Sequence, residues 1–323
     1  MRFFGKTRTI APSGRCRHSS PNSVLLPLLA VVSLASFSQA AQTTENASPD
    51  ERDLLARAAD QLLALPAADI KLRQKARLFG QEVTGSGTYL QKQSPRGLLL
   101  RLDLKLQVGD QMSSLQQVCD GRFLWIRRDA ANTVSVGRVD LERIRDAIRS
   151  SGRTSWVDAS SNWLAVGGLA QLLAALGESF QFSAPQAVRT DKASLWVVDG
   201  RWKPARLAEL LPNQRDAILA GQAADPARLP PQLPTDVRVV LGQSDLMPYR
   251  IEYRRAVPSG NTPPPEAAQT EPNVVLEILA IRRPQDLDPG LFAYEPGNQE
   301  VTDYTDLYVQ ALNLTPQAES KRE

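Results

Sequence analysis

Gly97-Leu98-Leu99-Leu100-Arg101-Leu102-Asp103-Leu104-Lys105-Leu106-Gln107 is the stretch that decides the fold. From Leu98 to Leu106 every even position is leucine, and from Arg101 onward the odd positions are charged or polar. Side chains of a strand alternate between its two faces, so this pattern describes a half-buried antiparallel strand with one apolar and one wet face. No single helical face collects those leucines. A five-leucine face either packs against an ordinary core or lines a space that holds hydrocarbon, and the alternation alone fits both.

Working outward, Gly85-Ser86-Gly87-Thr88-Tyr89-Leu90 leads a strand into the turn Ser94-Pro95-Arg96-Gly97. Before it, Ile70, Leu72, Gln74, Ala76 and Leu78 alternate in the same way. After it, Gly109-Asp110 ends the leucine strand, and residues 112–118, 123–128 and 133–139 continue as a meander. Later strands fall at 195–198, 237–241, 249–255 and 274–281.

The helices punctuate this pattern. Ser48-Pro49-Asp50-Glu51 reads as a capping box opening a helix to about Leu65, with Leu54, Leu55, Ala58 and Leu62 on one side and Pro66 as its stop. Asp140 is placed to cap a helix carrying Leu141, Ile144 and Ile148. Leu169, Leu172, Leu173 and Leu176 fall at helical spacing, and Gly177 is the expected C-terminal stop. Residues 205–234 are rich in alanine, leucine and proline and suit short helices, 258–272 read as a linker, and a last helix carries Tyr304, Leu307, Tyr308 and Leu312. Nine or ten antiparallel strands, few helices and no βαβ alternation predict one curved sheet or open barrel covered by helices, in a single domain from 48 to 314.

Residues 1–40 read as a cleaved export signal: Arg2, Lys6, Arg8, Arg15 and Arg17 precede a short apolar run that ends at Ser38-Gln39-Ala40. Residues 41–47 read as a polar linker and 315–323 as a disordered tail. Removing the five basic residues of the leader, from 38 Lys+Arg against 35 Asp+Glu, turns the formal charge from +3 to −2. A nearly neutral chain without a basic block gives no electrostatic reason to expect nucleic acid. Cys16 lies in the leader, which leaves Cys119 alone and without an intrachain disulfide partner; it reads as a small buried apolar residue.

The composition removes most catalytic chemistry. The single histidine, His18, lies in the leader, so the mature chain has no Ser-His-Asp or Cys-His arrangement, no histidine zinc site and no histidine pH switch. Gly85-Ser86-Gly87 lacks the third glycine of a dinucleotide loop. Paired carboxylates are the one device left; Asp103 with Asp110, or Asp303 with Asp306, are nominal pairs whose ordinary roles are capping and solvation. The expectation is a non-enzyme without cofactor or metal.

The segment from Gly85 to Val139 resembles the core of the LolA-like periplasmic lipoprotein carriers. The resemblance rests on the Gly-x-Gly strand, the turn at Pro95, the leucine strand, and the hairpin Asp120-Gly121-Arg122-Phe123-Leu124-Trp125. Pro248-Tyr249-Arg250-Ile251-Glu252-Tyr253 and Phe292-Ala293-Tyr294-Glu295-Pro296 are similar to the family's late strand and closing signature, in the same order. The resemblance implies a mainly β fold with some α: a half-open antiparallel β-barrel with helices covering an apolar cavity that holds acyl chains of a lipid or lipoprotein in transit through the periplasm. A membrane-protein docking partner is the second partner it suggests. On this reading the cavity is lined by Tyr89, Leu98, Leu100, Leu102, Leu104, Phe123 and Trp125, and the helix carrying Leu169, Leu172, Leu173 and Leu176 is the lid. The family's arginine directly before the turn proline latches its lid, whereas Ser94 stands there in this chain and Arg96 follows Pro95. Relatives with this barrel also act as envelope sensors or scaffolds, which is the alternative function.

Overall fold

The computed structural model describes residues 49–78, 81–95, 97–131, 133–150, 167–191, 193–225, 228–230, 233–256 and 270–311. The expected export signal, linker and tail, together with Arg96 and most of the 258–272 segment, lie outside the described residues.

The chain opens with helix α1 (Pro49–Ala64) and then builds a meander: β1 (Ala67–Leu78), β2 (Gln81–Ser94), β3 (Gly97–Val108), β4 (Gln111–Cys119), β5 (Phe123–Ala130) and β6 (Thr133–Asp140). Helix α2 (Leu141–Ser150) follows directly, and α3 (Gly168–Ser179) runs into the short strands β7 (Phe180–Phe182) and β8 (Gln186–Arg189). Next come β9 (Ser194–Trp202), the short helices α4 (Pro204–Leu210) and α5 (Arg215–Leu219), and strands β10 (Asp236–Gly242), β11 (Pro248–Ala256) and β12 (Thr270–Arg282). Strand β13 (Val301–Asp303) and helix α6 (Thr305–Ala311) complete the described chain.

All thirteen strands join one sheet in the order β13-β6-β5-β4-β3-β2-β1-β12-β11-β10-β9-β7, with β8 pairing β9 beside β7. The pairings are antiparallel except the parallel contact of β13 with β6. The two ends of this order do not pair with each other, so the sheet is unclosed. Its apolar side is covered by α1 and α3, and leucines of β3, valines of β10 and both helices belong to one core cluster. The fold is therefore a mainly β half-open barrel with helices against its inner, apolar face.

Register explains which residues face the helices. Leu100, Leu102 and Leu104 of β3 stand opposite Cys119, Gln117 and Leu115 of β4, and opposite Gln91, Tyr89 and Gly87 of β2. Continuing across, Leu124 and Ile126 of β5, Ile70 and Leu72 of β1, and Val239 and Ile251 of β10 and β11 share that face. The other face is wet and laced with ion pairs.

Two local expectations are corrected. Gly177 does not end its helix: α3 runs to Ser179, and Phe180 turns extended there. Gly177 faces α1 instead, where an added Cβ would touch Leu55, and its carbonyl accepts a 2.8 Å bond from Lys203 Nζ. The sheet also exceeds the expected nine or ten strands, because β7, β8 and β13 hold only three or four residues each and show no alternation to read. Asp140 does cap α2, its Oδ1 accepting from the amides of Glu142 and Arg143 at 2.9 and 3.2 Å.

Candidate functional site

The apolar face begins with the leucine strand. Leu100, Leu102 and Leu104 are 3–4% exposed, and Leu98 at the end of the row is half-buried. Two glycines of β2 make room for them: a Cβ on Gly85 would lie 2.7 Å from Leu106 Cδ2, and one on Gly87 2.9 Å from Leu104 Cδ2. Leu54, Leu55, Ala58 and Leu62 of α1, with Leu169, Leu172, Leu173 and Leu176 of α3, lie against this face in the same cluster. Leu169 and Leu173 retain no accessible surface. The leucines of the two helices thus occupy the space that the sequence reading left for a cargo. The four residues expected on the lid face the sheet.

A buried polar chain ties the helices down. Tyr89 Oη accepts from the Leu169 amide at 3.3 Å and donates to Gln91 Oε1 at 2.9 Å. Gln91 Nε2 in turn donates to the Leu62 carbonyl at 2.7 Å, and at the exposed end of the strand Gln93 Nε2 donates to the Leu63 carbonyl at 2.7 Å. Those two carbonyls belong to the last turn of α1, where backbone acceptors have no partner within the helix. Gly168, at φ +66, has to be glycine on two counts: the left-handed backbone, and the 2.0 Å that would separate an added Cβ from Tyr89 Oη. Burial pushes the Tyr89 hydroxyl well above the usual phenol range, so it stays a neutral donor and acceptor. The sequence reading missed this chain, although Tyr89, Gln91 and Gln93 share one parity of β2 and carry groups that need partners. At the position before the turn proline, Ser94 Oγ donates to the Gly97 carbonyl at 2.6 Å and closes the hairpin turn.

Phe123 and Trp125 are not on this face. Leu124 pairs with Cys119 and Ile126 with Gln117, so the helix-facing residues of β5 are Leu124 and Ile126, and their odd-numbered neighbours point the other way. Trp125 stacks on Tyr294 with ring centroids 5.4 Å apart, and Arg138 lies over the Phe123 ring at 5.3 Å. These rings hold the closing segment, including the buried Phe292, against the open face. Asp120 shapes the hairpin before them, its Oδ1 accepting from the amides of Arg122 and Phe123 at 2.8 and 2.6 Å.

Three of the four nominated acids have structural partners. Asp103 accepts from Arg101 Nε and Gln116 Nε2, both at 2.7 Å. Asp303 accepts from the Thr305 amide at 2.9 Å and pairs with Arg138 at 3.3 Å, while Asp306 pairs with Arg143 at 2.7 Å. Hydrogen bonding from the Thr305 side chain is the largest of the influences that hold Asp303 below the usual carboxylate range. Cys119 is buried, and its thiol is pushed up to about 11 by that burial.

Open space lies elsewhere. A trough of about 540 Å³ runs over β1 to β5 on the open face. A larger cavity of about 920 Å³ lies between the β9–β10 edge and the short helices α4 and α5. Its roof is anchored by Arg255, which donates to the carbonyls of Leu229, Pro230 and Leu233, and by Trp202 Nε1, which donates to the Pro234 carbonyl at 2.8 Å.

No family model and no curated protein matches this chain. Among solved structures it is similar to the lipoprotein LppX of Mycobacterium tuberculosis, at 14% identity over 75% of this chain and 100% of that one, with a TM-score of 0.37. A protein of the DUF1329 family from Desulfovibrio piger is similar at 11% identity over 76% of this chain and 96% of that one, TM-score 0.33. LprF from Mycobacterium bovis is similar at 10% identity over 74% of this chain and 98% of that one, TM-score 0.33.

Proposed function

We propose that this protein is an exported, periplasmic, non-enzymatic carrier of lipid or lipoprotein acyl chains, which it holds on the apolar face of the sheet after α3 moves aside. The observation that carries this reading is the leucine face closed by two apolar helices, whose polar attachment to the sheet centres on Tyr89, Gln91 and Gln93. The energetics fit exchange. A chain of about sixteen carbons gains roughly 12 kcal/mol gross on burial. Swinging Leu169, Leu172, Leu173 and Leu176 into water costs roughly 6–12 kcal/mol, at 1.5–3 kcal/mol for each leucine. The cost offsets half or more of the gain, which reduces the bias needed to load the cargo and to release it.

Native mass spectrometry of protein purified from its own periplasm is the test. Bound lipid is the expected result; an empty protein that also fails to bind a fluorescent fatty acid refutes the reading. A second reading, an envelope sensor or scaffold on the same barrel, draws support from the separate cavity under α4 and α5. Leu102→Asp separates the two: a carrier loses transport, whereas a scaffold keeps its signalling.

A further inference from the structure

The open face of the sheet carries a ladder of ion pairs that stops abruptly. Across β1, β12, β11, β10 and β9, Arg73 meets Glu277 at 2.6 Å, Glu277 meets Arg250, Arg250 meets Glu252 at 2.6 Å, and Arg238 meets Asp199 at 2.7 Å. On β1 to β4 the pattern changes. Lys71 and Lys105 are exposed and meet no acid among the described residues. Between them β2 presents two hydroxyls, with Thr88 directly opposite Lys71 and Ser86 directly opposite Lys105. The acid between them, Asp103, is already occupied by Arg101 and Gln116, and Asp69, two residues before Lys71, pairs with Arg282.

The surface is hollow here for a reason visible in the chain. Ser86-Gly87-Thr88 is a run of small residues flanked by long side chains, and a Cβ on Gly87 would lie 1.8 Å from the Asp103 carbonyl oxygen. Strands β2 and β3 press together there, and the trough of about 540 Å³ lies over them, with Arg127 at its far side. Lys71 and Lys105 stand two strand spacings apart and are staggered by two residues along the strands, roughly 12 Å between their Cα atoms. Flexible side chains of that length can converge on one small anion between them.

We infer that this trough binds a phosphate ester, with its oxygens between the ammonium groups of Lys71 and Lys105 and the hydroxyls of Ser86 and Thr88 donating from below. Two lysine point charges and two hydroxyl rotors surround a tetrahedral anion from several directions, whereas a planar carboxylate is better matched by a guanidinium fork. The site lies on the opposite face from the leucines and does not depend on the acyl-chain reading. The shared chemistry is a phosphate ester, supplied either by a soluble metabolite or by a lipid headgroup at a membrane surface.

Titration calorimetry with glycerol 3-phosphate and co-sedimentation with vesicles of phosphatidylglycerol, against vesicles of phosphatidylcholine, test the inference. Each lysine removed is expected to weaken binding about tenfold. Lys71→Ala/Lys105→Ala therefore loses binding, Lys105→Arg keeps most of it, and Lys75→Ala, an exposed lysine further along β1, leaves it unchanged. Loss of glycerol 3-phosphate binding in the double variant supports the site with a soluble ligand. Loss of vesicle binding alone supports it with a headgroup. No binding of either probe by the native protein, binding unchanged in the double variant, or equal loss in Lys75→Ala overturns the inference.

Discussion

Tyr89→Phe removes one oxygen and leaves the ring that packs under Gly168. Two groups lose their partner: the Leu169 amide, 3.3 Å from the hydroxyl, and Gln91 Oε1, 2.9 Å from it. Both groups are buried, so water does not replace the lost bonds, and each unsatisfied group costs about 1–3 kcal/mol. The expected loss is roughly 2–6 kcal/mol, concentrated on the attachment of α3 and on the link through Gln91 to α1. Since 1.4 kcal/mol is a factor of ten, amide exchange in α3 should accelerate at least about thirtyfold. Hydrogen exchange read by mass spectrometry on the peptide containing Leu169–Leu176 checks this, with β5 and β6 as internal controls that stay protected. Fluorescent fatty acid should also load faster, because the same opening admits it. Unchanged exchange in α3, or uniform acceleration over the whole sheet with no change in loading, refutes the role given to this hydroxyl.

Gly168→Ala combines a left-handed backbone with a Cβ driven into Tyr89 Oη, and should lower the unfolding free energy by about 1–3 kcal/mol or more in urea titration. Leu102→Asp puts an unpaired charge among residues of the leucine row, 3% exposed in the native protein, and should abolish fatty-acid binding while costing several kcal/mol in chemical unfolding. Alkaline stability has a defined sign. The Cys119 thiol is raised from 9.0 to about 11 in the folded chain, so the unfolded chain gives up its proton first and stability falls as pH rises from 9 towards 11. The slope from this one group is about 1.4 kcal/mol per pH unit, and Cys119→Ala should remove that part of it in urea titrations across the interval.

How much of this could be read from the chain varied with the elements. The leucine strand was legible because only one of its faces is apolar beyond Arg101, so the period of two also fixes its orientation. Phe123-Leu124-Trp125-Ile126 carries apolar groups on both faces, and alternation there cannot say which pair meets the helices. The answer lay in register, carried from Leu100 through Cys119 to Leu124. The helix of Leu169–Leu176 was legible from its spacing, but its end was not, because Gly177 serves packing against Leu55 rather than a left-handed turn. Gln91 and Gln93 were visible as polar groups on the parity of Tyr89. Their partners, the last carbonyls of α1, are about thirty residues away and could be assigned only once the helix was seen against β2.

The central claim is that an acyl chain replaces α3 on the leucine face. Photo-cross-linking with a diazirine-bearing fatty acid, mapped by peptide mass spectrometry, tests it most directly. The account predicts adducts on the face that α3 vacates, on β3 and β5, at Leu100, Leu102, Leu124 or Ile126. Adducts confined to the cavity lined by Leu207, Leu211 and Ile218, or no adduct at all, would contradict it.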